Sequence, residues 1–491
     1  MPERIKTAVR VGGRDDLLIH TLDLSGLHPL HGTMPVNVPV GLEFPVKPVA
    51  PTPDTIFALS TAPGRAAIAV IRMSGPQAGV VLKTMTGSIP RPREASLRLI
   101  RHPVTGATLD QALVIYFAAP HSETGEDIAE LQVHGGRAVI AAVLDALDEV
   151  PGCRSALPGE FARRAFDHGK LDLTAAEGLI DLIDAETVGQ RVQALRQASG
   201  DLYRLYQSWR ERLIEAQALV EAGIDFADEG DVGTNAFRQA TTRVVTLAGE
   251  AAAHLASAQR GEILRDGFRV AIVGPPNAGK SSLLNTLARR EAAIVSEEAG
   301  TTRDVIEVHL NLGGIPVVVS DTAGLRDTDG RIEQEGMRRA LASAKAANLV
   351  IWLVDAAEPM VPLPEGLGSD ADVLRVLNKI DRVDQVANGQ EHTLRISAQR
   401  GDGIARLIDT IIARAQAALG DERLAPTQPR HREHLRTCLG HLETFLGGNE
   451  DQLELRAEDL RQAAVSLGRI TGRVDPEDVL DQIFSRFCIG K

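Results

Sequence analysis

Arg269-Val270-Ala271-Ile272-Val273 runs into Gly274-Pro275-Pro276-Asn277-Ala278-Gly279-Lys280-Ser281, which continues as Ser282-Leu283-Leu284-Asn285-Thr286-Leu287. The first block is a short apolar strand, and the last begins a helix. The middle block fits G-x-x-x-x-G-K-[ST] at every fixed position. Its glycines let backbone N–H groups curl round phosphates. Lys280 can neutralise β/γ oxygens, and the Ser281 hydroxyl can ligate Mg²⁺. The helix that follows points its positive end at the anion. Spacing alone could arise by chance, but strand before and helix after are the context of a phosphate-binding loop.

Three further elements follow in order. Asp321-Thr322-Ala323-Gly324 succeeds the strand 315–320; its Asp can hold the Mg²⁺ shell through water, and its Gly can sense a γ-phosphate. Asn378-Lys379-Ile380-Asp381 succeeds the strand 373–377. A carboxylate at Asp381 can accept both N1–H and the exocyclic amine of guanine, which adenine does not offer. Ser397-Ala398, after the strand 393–396, suits a backbone contact to guanine O6. The pattern predicts a GTP-hydrolysing G domain over 266–420, with 305–310 and 315–320 as an antiparallel pair turned at 311–314 on an otherwise parallel sheet. Gly300-Thr301-Thr302-Arg303-Asp304 reads as a switch, with Thr302 as second Mg²⁺ hydroxyl; spacing alone does not separate it from Thr301. Leu325 stands where Ras-like proteins carry a water-orienting glutamine. No arginine finger is evident, so the transition-state charge must come from elsewhere.

Working outward, 54–171 reads as an α+β unit. Strands are expected at 56–61, 67–73, 112–117 and 128–134, with helices at 76–85 and 137–149. Thr174-Ala175-Ala176-Glu177 reads as a capping box. Leu195, Ala198, Leu202, Leu205, Trp209, Leu213, Ala216 and Val220 mark one stripe on one long helix. Leu453, Ala457, Leu460, Ala464 and Leu467 keep a seven-residue rhythm. Asp475-Pro476 reads as an N-cap before a helix placing Val479, Leu480, Ile483, Phe484 and Phe487 on one side. Neither helical block buries its stripe alone, so 172–265 and 421–491 are expected to form one discontinuous helical domain with the G domain inserted.

The chain has 491 residues and a formal charge of -13, which argues against coating nucleic acid by bulk electrostatics. A local RNA contact stays open. No apolar run is long enough to span a bilayer. Cys153, Cys438 and Cys488 are too few and scattered for a disulfide framework or zinc site, and a reducing cytoplasm is expected. Residues 1–53, with seven prolines between Pro29 and Pro53, read as a flexible extension or as sequence before a true start such as Met34.

Taken together, these residues resemble the TrmE–Era–Obg–YihA–YlqF–Septin group of GTPases. The flanks narrow the resemblance to the MnmE (TrmE) family. They are Ala66-Ala-Ile-Ala-Val-Ile-Arg72-Met-Ser-Gly75, Thr124-Gly-Glu126-Asp127, His134-Gly-Gly136, Pro158–Phe166, Gly169–Glu177 and the ending Phe487-Cys488-Ile489-Gly490-Lys491. The fold class is then α/β overall: an N-terminal α+β folate-binding-like domain, a discontinuous α-helical domain and an inserted Ras-like P-loop G domain. The resemblance implies a cytoplasmic, bacterial homodimer rather than a mitochondrial homologue. It implies a heterotetramer with the flavoprotein MnmG (GidA), which carries the FAD. The pair installs an aminomethyl or carboxymethylaminomethyl group at C5 of the wobble uridine in certain tRNAs. A tetrahydrofolate, in 5-formyl or methylene form, is the implied one-carbon carrier.

The resemblance also assigns residues. GTP falls to Asn277, Ala278, Gly279, Lys280, Ser281, Ser282, Ser296, Thr301, Thr302, Asp321, Thr322, Ala323, Gly324, Asn378, Lys379, Asp381, Ser397 and Ala398. K⁺, in place of an arginine finger, falls to Asn277, Ser296, Glu298 and Thr301. Glu333 positions the attacking water through a second water, with Lys280, Asn277 and Cys488 as further catalytic candidates. Folate falls to Arg72, Glu126, Lys170 and Lys491. Ala66, Ala67, Glu123 and Ala162 depart from the family pattern around that pocket. Cys488 reads either as a reactive thiol of the tail or as an inert helix-end cysteine. A regulatory GTP switch, such as a ribosome-assembly factor, is the other reading of the whole.

Overall fold

The computed structural model describes residues 54–490 except 226–229, 291–305, 322–341, 365–370, 384–392, 421–423, 449–451 and 475–476; the side chains of 230–234, 290, 306, 321 and 477–478 are also left undescribed. Residues 1–53, Ser296, Glu298, Gly300–Asp304, Thr322–Leu325, Glu333, the Asp475-Pro476 cap and Lys491 therefore lie outside the described residues.

The N-terminal sheet has order β3-β4-β5-β2-β1-β6. Its strands are β1 (Thr55–Leu59), β2 (Ile68–Ser74), β3 (Ser96–Arg101), β4 (Thr108–Phe117), β5 (Ile128–His134) and β6 (Cys153–Ser155). Helices α1 (Ala78–Thr86) and α2 (Arg137–Asp148) cover one face, sealing Phe57, Ile71, Met73, Leu82, Met85, Leu131 and Leu147. β3 and β6 go unread in the sequence, and β4 starts four residues before the expected Ala112. The Ser-Leu-Arg-Leu-Ile-Arg run of β3 has a period of two, but Leu97 and Leu99 point out to solvent, 55% and 44% exposed. An outward apolar row does not look like a half-buried strand. The short helix α3 (Glu160–Asp167) closes the opposite face beside β1, where Phe161 meets Ile56 and Ala58.

The helical part comprises α4 (Leu173–Ile183), α5 (Val188–Ala198), α6 (Asp201–Asp225), α7 (Gly230–Ala256), α8 (Ala258–Asp266), then α11 (Pro429–Gly447), α12 (Leu453–Thr471) and α13 (Glu477–Phe484). Two sequence readings are corrected here. The cap of α4 is Asp172, whose side chain accepts from Thr174 N and Ala175 N; Glu177 faces inward instead and pairs with Arg430 and His431. The reciprocal capping box is Thr187/Gln190, opening α5. The single long helix is also two, because the chain turns at Ser199-Gly200 with Gly200 at φ 81°. Leu195 ends up 47% exposed, while Leu202, Trp209, Leu213, Ala216 and Val220 are buried. That stripe packs on Leu435, Leu442, Leu460 and Leu467, so one core draws on both helical stretches. Truncating Trp209 to alanine there would cost about 3–5 kcal/mol, and truncating Leu460 about 2–5 kcal/mol. Leu480, Ile483 and Phe484 of α13 pack on Leu173, Ala176 and Ile180 of α4; Phe487 joins them from beyond the helix end.

Between these stretches, β7 (Phe268–Val273), β8 (Ile306–Leu312), β9 (Ile315–Asp321), β10 (Leu349–Asp355), β11 (Val373–Asn378) and β12 (Leu394–Arg395) form a second sheet of order β12-β11-β10-β7-β9-β8. Every pairing is parallel except β8/β9. That hairpin turns at Gly313 and Gly314 alone, with φ of 59° and 84°. Positive φ at both positions is the twist-matched two-residue turn, which glycine permits. Helices α9 (Lys280–Arg290) and α10 (Ile404–Leu419) flank the sheet.

Candidate functional site: a phosphate loop and a base pocket at one sheet edge

β7 is a central strand with parallel neighbours β9 and β10. The loop after it emerges at the carboxyl ends of the strands, where α/β sheets bind ligands. Gly274 passes so close to β10 that a Cβ there would lie 2.1 Å from Leu353 O. Gly279, at φ 95°, would set a Cβ 2.3 Å from Asn378 Nδ2. Asn277 takes a left-handed φ of 60° with its side chain exposed. The loop is thus shaped by backbone that other residues would block. Lys280 Nζ folds over it, donating to Gly274 O at 2.9 Å and Pro275 O at 3.0 Å. Ser281 and Ser282 open α9 with exposed side chains. The backbone of Asp321 ends β9 beside Ile272 of β7, which brings the strand end bearing Asp321 to this edge.

Asn378 ties the pieces together. It is buried; its Nδ2 donates to Ala278 O at 2.8 Å and its Oδ1 accepts from Ala398 N at 3.0 Å. One amide therefore fixes the phosphate loop against the Ser397-Ala398 loop. Thr286, absent from the sequence assignments, adds a second tie by donating to Ala398 O at 2.8 Å. Lys379, at φ 64°, pairs its Nζ with Asp355 Oδ2 at 2.9 Å. Burial alone would raise the Asp355 carboxyl, but Lys379 and the Ala357 N–H hold it below its ordinary value. Asp381 Oδ1 accepts from Ser397 Oγ at 2.6 Å, and that bond holds its carboxyl low as well. A carboxylate offers about four lone-pair sites. Ser397 takes one, and a two-donor base edge could be met by the rest.

The N-terminal candidates lie apart from this edge. Arg72, on β2, donates Nε to Glu130 at 3.0 Å and meets Glu123 at 2.8 Å. Its charge is therefore met within the chain, and Glu123, which departs from the family pattern, supplies one of its partners. Glu126 accepts from Ser74 Oγ at 2.7 Å and from Arg164 NH1 at 3.1 Å. Lys170 is exposed, and its Cε would lie 3.5 Å from a Cβ on Gly125. Arg164 was missed from sequence. Its buried guanidinium gathers Asp54, Glu126 and Glu160. The available signal was Glu160 and Arg164 at i,i+4 on a helix with Phe161 and Ala165 facing inward. The tail returns to this domain: Ile489 bridges Pro158, and Ser60 Oγ donates to Gly490 O at 2.9 Å. A Cβ on Gly490 would lie 2.3 Å from Leu59 O, so the tail is seated through a glycine. Cys488 beside it is exposed.

Comparison with known proteins follows the same division. Residues 55–170 match the family model described as GTP-binding protein TrmE N-terminus, and residues 173–488 match the MnmE helical domain. The chain is 56% identical over 448 residues to the tRNA modification GTPase MnmE of Parvibaculum lavamentivorans, covering 89% of this chain and all of that one. It is 49% identical over 439 residues to the protein of that name from Brucella ovis, covering 89% and 98%. Among solved structures, Aquifex aeolicus Era bound to GDP·AlF4⁻ aligns over 45% of this chain and 99% of its own. Identity there is 20% and the TM-score 0.25, too low to bear on the argument. With family models spanning both flanks and near-full-length relatives at about half identity, the chain belongs to the MnmE family of tRNA modification GTPases.

Proposed function

We propose that this chain, a GTP-hydrolysing enzyme by family, works with the flavoprotein MnmG on tRNA to place an aminomethyl or carboxymethylaminomethyl group on C5 of the wobble uridine. The supporting observation is the Asn378 amide, which joins a glycine-shaped phosphate loop to the loop that faces Asp381. In this reading Lys280 and the loop N–H groups hold the phosphates. Ser281, Thr302 and, through water, Asp321 hold Mg²⁺. Asp381 and Ala398 select guanine. The exposed Asn277 amide stands at the mouth of the loop. With Ser296, Glu298 and Thr301 it would hold K⁺, whose charge substitutes for an arginine finger, while Glu333 orients water.

For the tetrahydrofolate carrier, Glu126 is the better-founded residue: a carboxylate paired with Arg164 suits the paired N–H donors of a pterin. Arg72 would have to exchange Glu123 or Glu130 for a glutamyl carboxylate. Lys170 and Cys488 belong to this domain and to the tail seated on it, and Lys491 would complete the set. No helix among the described residues is long and apolar enough to cross a membrane, and a cytoplasmic homodimer meeting MnmG as a heterotetramer fits the reading.

The decisive experiment deletes the gene and follows digested total tRNA by nucleoside mass spectrometry. Loss of 5-carboxymethylaminomethyl-type uridines, restored by the wild-type gene and not by Asp321→Ala, is expected. Unchanged nucleosides would transfer the chain to the class of regulatory GTP switches. Separately, GTP turnover should be far faster in K⁺ than in Na⁺ at matched ionic strength and Mg²⁺. Equal rates would remove K⁺ from the site.

A further inference from the structure

The tip of a G-domain hairpin and the strap that leads into the G domain meet at the start of α5. The first is the tip of the β8–β9 hairpin: Gly189 donates its backbone N–H to Gly314 O at 3.2 Å. The second is the end of α8, which leads through Asp266 and Gly267 into β7 and the phosphate loop. There Gln190 Nε2 donates to Arg265 O at 2.9 Å. Gln190 also builds the capping box of α5: its Oε1 accepts from Thr187 N at 3.0 Å, and Thr187 Oγ1 accepts from Gln190 N at 3.2 Å. A single side chain therefore sets both the start of α5 and the position of the strap into β7. A Cβ on Gly189 would crowd this contact, lying 3.0 Å from Leu264 Cδ1 and 3.2 Å from Gly314 O.

The hairpin's place in the chain gives this contact meaning. β8 begins two residues after the switch stretch Gly300–Asp304, and β9 ends on Asp321, the first residue of Asp-Thr-Ala-Gly. Both segments that address a γ-phosphate are thus joined by one two-stranded ribbon. A ribbon with a full ladder moves as a body, so a shift at its root is carried to its tip. Beside that tip lies a cavity of about 350 Å³ lined by Val188, Val192, Leu264, Gly313, Ile315 and Leu419. Gln193, Arg196 and Arg260 also line it, so the tip is bordered on that side by a cleft of mixed polarity rather than by close-packed core. From α5 the connection continues inward: Arg265 NH1 donates to Gln428, whose Nε2 reaches Asp181 on α4. Leu173, Ala176 and Ile180 of that same helix carry α13, which leads to Cys488.

We propose that the start of α5, with Val188, Gly189 and Gln190 as positioning residues, is the joint through which the β8–β9 hairpin passes the nucleotide state to the helical domain. The proposal rests on the reading of 274–281 and 378–381 as a GTP site. A disulfide tests it. A Cβ on Gly314 would lie 4.0 Å from Val188 Cβ, inside the roughly 3.5–4.5 Å span of disulfides. The double variant Val188→Cys/Gly314→Cys is compared in oxidised and reduced form, with each single variant under the same oxidant as control for the three native cysteines. The readout is the ratio of Kd for GDP to Kd for a non-hydrolysable GTP analogue. Closing the clamp is expected to shift that ratio by a factor in the range of about 5–150, reversed by dithiothreitol. Adding Gln190→Ala, which frees α5 from the strap, should bring the oxidised ratio back toward the reduced one.

An unchanged ratio with the clamp formed would overturn the proposal. A clamp that does not form reports the strain of a cysteine at the left-handed φ of Gly314, and the proposal is then overturned if Gln190→Ala alone leaves the ratio unchanged. Reduced protein that binds no guanine nucleotide would refute the GTP reading instead, so the two failures are told apart.

Discussion

Asp381 shows how much one carboxylate decides. Ser397 holds one of its oxygens at 2.6 Å and keeps it ionised, so a ligand edge with two N–H donors is the natural complement. Asp381→Asn turns half of that acceptor into a donor. GDP affinity measured by fluorescent-nucleotide titration should fall roughly 10–150-fold, the about 1.5–3 kcal/mol of a hydrogen bond to a charged group. The xanthine nucleotide, which presents an oxygen in place of the amine, should gain. Unaltered selectivity would mean that Asp381 does not face the base. These residues were legible because the motif spacing is dictated by the ligand. Asn378 was legible as part of a motif but not in its role, since a tie between Ala278 and Ala398 joins residues 120 positions apart and leaves no mark on local spacing. Arg164 was hidden for a related reason: a buried arginine is recognised by the carboxylates that surround it, and two of these, Asp54 and Glu126, come from distant sequence.

Elements were read well where a pattern is local and poorly where tertiary partners override it. Thr174-Ala-Ala-Glu177 has the letters of a capping box, yet Glu177 is drawn inward by Arg430 at 2.8 Å and His431 at 2.7 Å, across the two halves of the helical part. Burial would raise its carboxyl, but these two partners bring it to about 2. Its stabilisation is therefore present above the ordinary carboxylate range and is lost only as pH falls toward about 2. One turn along α4, Asp181 behaves oppositely. Burial dominates, Arg265 offsets it only in part, and the group is pushed up to about 6. A raised acid is a burden on the fold whenever it is charged: the cost is full above about pH 6 and vanishes below the unfolded value of about 3.9. Asp181→Asn should accordingly raise thermal stability at pH 7.5, by at most about 3 kcal/mol at 1.36 kcal/mol per pKa unit, and the gain should shrink toward pH 4.5. A loss of stability at pH 7.5 would show that the Gln428 contact outweighs the buried charge.

At the scale of the whole molecule, the N-terminal sheet leaves part of one face open. Leu97 and Leu113 stand directly opposite across β3 and β4, and Leu99 is two residues along on the same side. Register through β5 places Ile68 of β2 on that face too. Their exposures run from 41% to 56%. α1 and α2 both lie on the other side, and α3 closes this face only beside β1. Single exposed leucines are ordinary, whereas a cross-strand row rimmed by Arg101, His134 and Asp110 is what a partner surface looks like. We propose a second copy of the chain as the occupant, since a self-complementary face closes into a two-fold dimer. Wild-type protein at micromolar concentration should run as a dimer by light scattering. Leu97→Glu/Leu113→Glu puts like charges opposite one another in that row, and should yield monomers with an unchanged far-ultraviolet spectrum. If the G domains act in pairs, GTP turnover per chain in K⁺ should fall with the dimer while nucleotide affinity holds, as expected where one chain supplies the guanine and phosphate contacts. A variant that stays dimeric would place the interface elsewhere. A monomer with full K⁺-dependent turnover would show that one G domain completes the site alone.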